Sequence, residues 1–173
     1  MSGIGMLALA SLAFVGTHFL MSHPLRQPMA SALGEKGFSG VYSLISLLLF
    51  GWMIWAYPAA SAEAPQPLWD GGRWGFVIAT ILMWLGSVLF MGSFRRNPAF
   101  PRPGKTIERI DEPQGVYSIT RHPMMWGFTL WAVTHAIVNP TPASLILSFA
   151  IAFLALAGAA LQDSKKERLL GQV

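Results

Sequence analysis

Four histidines and one arginine carry most of the chemistry open to this chain. His18 and His135 fall inside apolar runs, while His23 and His122 stand at the ends of such runs, with Arg121 beside His122. An ionisable side chain inside an apolar span is costly and rarely accidental. The stretch GVYSITRHPMMWGFTLWAVTH, from Gly115 to His135, holds two of the four histidines and the arginine. Thirteen residues part His122 from His135, about 20 Å of rise and about 140° of turn on one helix. The two therefore cannot share a ligand on an unbroken helix, and pairing has to run across helices: His18 with His135, or His23 with His122.

The chemistry follows from the residue types. A neutral imidazole is a good nitrogen donor for iron, and two axial histidines on facing helices hold a haem. Met124, Phe128 and Trp131 continue the face of His135 at steps of four, three and four, an apolar wall wide enough for a flat macrocycle. The plainer alternative is a histidine hydrogen-bonded to a serine or a carbonyl inside the bundle. Straight, upright helices measured from Arg26 and Arg121 would leave His18 and His135 about 9 Å apart in height, which tilting must close. Arg121-His122-Pro123 has a logic of its own. Proline suits the first turn of a helix, free N–H groups there attract anions, and a guanidinium adds a fork for a carboxylate or phosphate. A haem propionate, a lipid headgroup or a cosubstrate carboxylate would fit, and so would a plain membrane anchor.

The elements that must position these groups are membrane spans. Of the 173 residues 53% are hydrophobic and 12% charged, with a mean hydropathy of +0.48. A soluble domain carries about 25% charged residues, so the composition predicts an all-α, polytopic membrane bundle in a single domain over residues 1–173. There is no cysteine, which excludes thiolate metal sites, iron–sulfur clusters and thiol catalysis. Five spans are expected: Gly3 to Met21, Ser39 to Tyr57, Trp74 to Phe94, Pro123 to Val138 and Thr141 to Leu161. The fourth is short. No Lys or Arg precedes Arg26, so the first span lacks the basic start of a secretory signal and reads as a retained helix.

Orientation follows from the cations. Of the 12 Lys and Arg residues only Arg73 falls among the loops of one side; the other eleven, from Arg26 and Lys36 through Arg95–Arg121 to Lys165, Lys166 and Arg168, share the opposite side. That places the N-terminus outside and the C-terminus in the cytoplasm. The net charge of +4 belongs to these anchors, and no nucleic-acid partner is expected. Pro58 to Trp74 reads as an outer loop, Asn97 to Gly104 as extended chain, and Asn139-Pro140-Thr141-Pro142 as a tight turn that folds spans four and five into a hairpin. Ser144, Ser148, Ala152, Ala155 and Ala159 form a small-residue stripe for close helix approach, and Ser39, Ser43 and Ser46 begin another. Ser11, Val15, His18 and Ser22 share an inward polar seam; most Trp and Phe residues are expected to face lipid.

SHPLR at Ser22–Arg26, GVYSITRHPMMWG at Gly115–Gly127 and AVTH at Ala132–His135 resemble the NnrU family over nearly the whole chain. These are small bacterial membrane proteins associated with denitrification and related to plant zeta-carotene isomerase. The resemblance implies haem b held by two histidines, one matching His135 and the other, in the first helix, His18. Ala132 stands where the isomerase branch has a cysteine. Arg121 with His122 would serve the propionates, and Phe128 and Trp131 would line the macrocycle. The implied chemistry is cis–trans isomerisation or redox work on an apolar polyene, or electron or nitric-oxide handling beside a denitrification partner. The implied setting is the bacterial inner membrane, with its lipid as a contact. The RHP-x-x-x-G pattern is also similar to isoprenylcysteine carboxyl methyltransferases and phospholipid methyltransferases, which would make S-adenosylmethionine the cofactor. Two departures count against it. Asp163 and Glu167 replace an adjacent Glu-Glu pair, and Met125 stands where an aromatic is expected. A non-enzymatic assembly factor is the remaining alternative.

Overall fold

In the computed structural model residues 1–95 and 114–170 are described, the last six of these for their backbone only. All regular structure there is helical: α1 Gly3–Ser22, α2 Arg26–Glu63, α3 Gly72–Ser93, a 3-10 turn at Gly115–Ser118, α4 Pro123–Val138 and α5 Pro142–Leu170. Four segments (α1, α2, α3 and Pro142–Ser164 of α5) are long and apolar enough to cross a membrane. The fourth expected span, α4, has only 16 residues, about 24 Å against the roughly 30 Å of a hydrocarbon layer. The protein is thus a helical membrane protein whose α4 is shorter than its neighbours. Asn97 to Gly104 and the cations Arg96, Arg102, Lys105 and Arg109 lie outside the described residues.

Helix α2 departs most from expectation. It runs for 38 residues, taking in both the stretch before Ser39 and the start of the expected outer loop. Gly34, at φ 71° and ψ 163°, breaks it into two helices, a conformation that costs glycine no Cβ clash. Arg26 reaches across the break to Glu35 at 3.1 Å and lies over the Phe38 ring. Pro58 sits inside the far helix, which carries on regardless to Glu63. There Glu63 accepts a hydrogen bond from the Ile4 N–H, supplementing the Ser2 hydroxyl that caps α1 through Gly5.

Packing runs in a chain of neighbours. Helix α1 lies on α2 and α5, while α4 lies on α3 and α5, so α5 touches both the α1–α2 pair and the α3–α4 pair and α1 does not pack closely on α4. The core joins Leu7, Ala10 and Phe14 of α1 to Met53, Ala56 and Ala60 of α2 and to Ala143 and Ala150 of α5. Ser144, Ser148 and Ala155 of the expected stripe are buried, and Ser11 of the α1 seam is buried too. Ser39 and Ser43 are exposed. The close approach on α2 falls instead at Ala59 and Ala60, which meet Gly3 of α1. Trp55, Trp74, Trp84 and Phe149 are more than half exposed, as lipid-facing bulk should be.

The tight turn forms as its prolines dictate. The Asn139 N–H returns to the His135 carbonyl, Pro142 opens α5, and the Thr141 hydroxyl accepts from the Ser144 N–H. Leu68 donates to the Pro140 carbonyl and ties the α2–α3 connection to this turn. We call this the Pro140 end of the bundle and the opposite one the His122 end.

Candidate functional site

Two groups of side chains stand out, one within the bundle and one at the His122 end. His18 occupies the penultimate turn of α1, half-buried, with its ring against Phe14 and against Tyr42 of α2 at centroid distances of 4.4 and 5.4 Å. Its Nδ1 lies 2.8 Å from the carbonyl of Phe14, one turn back. His135, in the last turn of α4, repeats the arrangement: Nδ1 lies 2.9 Å from the Trp131 carbonyl, and the Trp131 ring lies over the imidazole at 4.0 Å. A carbonyl can only accept, so in both residues Nδ1 carries a proton, and a ring bearing that one proton has its lone pair at Nε2. Both are thus carbonyl-bonded histidines, as the plainer alternative expects.

Heights can be read from the contacts. Phe19 of α1 meets Phe153 of α5 at 6.0 Å, and His122 of α4 meets Asp163 of α5 at 2.8 Å. Ten residues of α5 separate these two levels, so His18 stands about 16 Å above His122, and His135 about 20 Å above it. The pair is therefore level to within about 4 Å, not the 9 Å expected from upright helices. The reason is that the α1–α2 turn is drawn toward the Pro140 end, so Arg26 and Arg121 do not share a plane.

Phe128 and Trp131 line an apolar groove of about 150 Å³ with Met83, Gly86, Ser87 and Phe90 of α3. This groove lies between α4 and α3, and neither His135 nor Met124 lines it. Gly86 and Gly127 make that groove by letting the two backbones meet: a Cβ on Gly127 would come within 3.0 Å of the Gly86 carbonyl oxygen. Among the described residues no three histidines or carboxylates converge on one point.

Arg121 and His122 do not join this pair. They lie some 20 Å down α4 from His135, farther than a porphyrin's propionates extend from its iron. At the His122 end the imidazole Nε2–H donates to Asp163 Oδ1 of α5, with the His122 side chain 10% exposed. A cavity of about 330 Å³ opens beside them, lined also by Thr120, Arg121, Met125 and Trp126. His23 is exposed, and its ring lies 3.0 Å from the Ser22 hydroxyl. Two partners were not legible from the chain alone. Tyr42 against His18 has no motif to announce it. Asp163 against His122 is not announced by an even count across the hairpin, since His122 stands 17 residues before Asn139 and Asp163 stands 21 after Pro142. The floor of this end is fixed by Tyr117, whose hydroxyl donates to the Ser93 carbonyl at 2.8 Å; burial pushes its phenol above the usual range, so it stays protonated.

A bundle with four helices long and apolar enough to cross a membrane defines an integral membrane protein. Over residues 6–172 it matches the family model described as NnrU protein, and the chain belongs to that family. No curated protein and no solved structure shows a match.

Proposed function

We propose that this protein binds haem b in the bacterial inner membrane, where His18 and His135 would hold it through Nε2. The observation that carries the reading is the shared tautomer: both half-buried imidazoles tie Nδ1 to the carbonyl one turn back and leave Nε2 as the donor. Their similar height supports it. Phe128 and Trp131 would flank the ring, and Trp131 stiffens His135 by stacking on it. When bound, haem supplies an iron that exchanges single electrons, which suits redox or isomerase chemistry on a hydrophobic polyene or a redox partner in denitrification. The chain's own part is to orient both imidazoles, exclude water with apolar walls, and admit an apolar molecule from the lipid side. The basic end faces the cytoplasm in this reading.

A second reading, an S-adenosylmethionine-dependent methyltransferase, is favoured by one observation: Asp163 meets His122 at a cavity that Arg121 also lines. Purification of the full chain from cells with ample haem separates the two. The haem reading expects a Soret band that shifts on reduction, lost in His135→Ala and kept in His23→Ala. A colourless protein that binds S-adenosylmethionine in calorimetry would establish the second reading instead.

A further inference from the structure

The His122 end holds a cavity that the haem reading does not use. It is bounded by α4 on one side and α5 on the other, and its lining divides by character. Thr120, Arg121, His122 and Asp163 are polar; Met125, Trp126 and Leu156 are apolar. Two charged residues and a histidine thus meet an apolar wall where α4 begins, at the edge of the membrane-spanning part of the bundle. A ligand matching that division has a charged head and an apolar body.

The charges choose the head. Arg121 brings a guanidinium, whose planar fork suits two oxygens of one anionic group. Asp163 brings a negative charge into the same cavity, but its Oδ1 is engaged by the His122 Nε2–H at 2.8 Å. Among the described lining residues Arg121 is the cation, and the Asp163 carboxylate is already bonded to His122, so the guanidinium is the group that an anionic head meets. A phosphodiester carries one charge; a free phosphate or a phosphate monoester carries about two at neutral pH. The apolar wall of Met125, Trp126 and Leu156 then takes the start of an acyl chain, with Trp126 45% exposed and set where an indole favours the interface.

We propose that this cavity is a defined binding site for one anionic glycerophospholipid, its phosphodiester on Arg121 and its glycerol and first acyl carbons along Met125, Trp126 and Leu156. The His122–Asp163 bond joins α4 to α5 and holds the cavity open to that shape. The site is independent of haem.

The test uses the full chain, delipidated in detergent, with phosphatidylglycerol retention read by native mass spectrometry. Wild type keeps one phosphatidylglycerol; Arg121→Gln keeps it about tenfold less well, the loss of one charge-assisted contact, and Arg121→Lys recovers most of the binding. Arg121 is exposed, so neither change disturbs the fold, which circular dichroism checks. Oleate, inorganic phosphate and S-adenosylmethionine leave the occupancy unchanged. Equal retention by Arg121→Gln overturns the proposal. Displacement by oleate, by phosphate or by S-adenosylmethionine overturns it too, and assigns the cavity to a carboxylate, a free phosphate or the methyl donor.

Discussion

At the scale of residues, one recurring bond does most to define this protein. A histidine inside a helix can send Nδ1 back to the carbonyl one turn earlier, and His18 and His135 both do so. The bond selects a tautomer and a ring orientation without help from another helix, so the residue can wait for a ligand without leaving its own N–H unsatisfied. His122 is different, since its partner Asp163 comes from another element and makes it a clamp. Tyr117 makes a comparable long-range tie to the Ser93 carbonyl. Tyr117→Phe removes that donor and should lower stability by about 1 kcal/mol, read as a shift in the thermal or denaturant midpoint; an unchanged midpoint would mean that the bond adds nothing. The identity of the histidines was legible in the sequence because polar residues are rare in apolar runs. Their tautomers and the Tyr42 neighbour of His18 were not, since both depend on where helices lie relative to one another.

At the scale of elements, helix contacts explain what residue spacing could not. The span boundaries of α1, α3 and α4 were readable to within a few residues from hydropathy and from the Pro140 turn. Helix α2 was not, because Gly34 and Pro58 are both breakers on paper. Gly34 does break the helix, by a positive φ; Pro58 does not, because a proline inside a helix sacrifices a single hydrogen bond that neighbouring packing can offset. The serines at 39 and 43 looked like an interface and are exposed, whereas Gly3 against Ala59 provides the true close approach. Between α3 and α4 the contact depends on Gly127, where a Cβ would meet Phe90 Cβ at 2.9 Å and the Gly86 carbonyl oxygen at 3.0 Å. Gly127→Ala should therefore force these helices apart and cost about 1–3 kcal/mol, the usual range for overpacking. In Gly16→Ala the added methyl meets nothing within 4 Å, so it should leave stability the same or slightly improved. A comparison of the two midpoints checks this, and equal loss in both would contradict the close-packing account of the α3–α4 groove.

At the scale of the whole molecule, the two hairpins are offset along the bundle axis, and α5 joins them. That offset brings His18 level with His135, although counting from the flanking arginines set them apart. It also leaves the His122 end to α3, α4 and α5, where the basic residue Arg121 and the α4–α5 cavity lie. The proposed orientation, with the cation-rich side in the cytoplasm, expects a reporter fused after Val173 to be active only as a cytoplasmic protein, and one inserted near Gln66 only as an exported protein; reversed activities would invert it. The direct test of the central claim is electron paramagnetic resonance of the ferric protein, purified as the full chain with haem supplied during expression. Two imidazole donors on one iron give a low-spin signal in wild type, which either His18→Ala or His135→Ala converts to high spin or abolishes with the pigment. A pigment-free wild type, or a low-spin signal that survives both replacements, would contradict a haem held between α1 and α4.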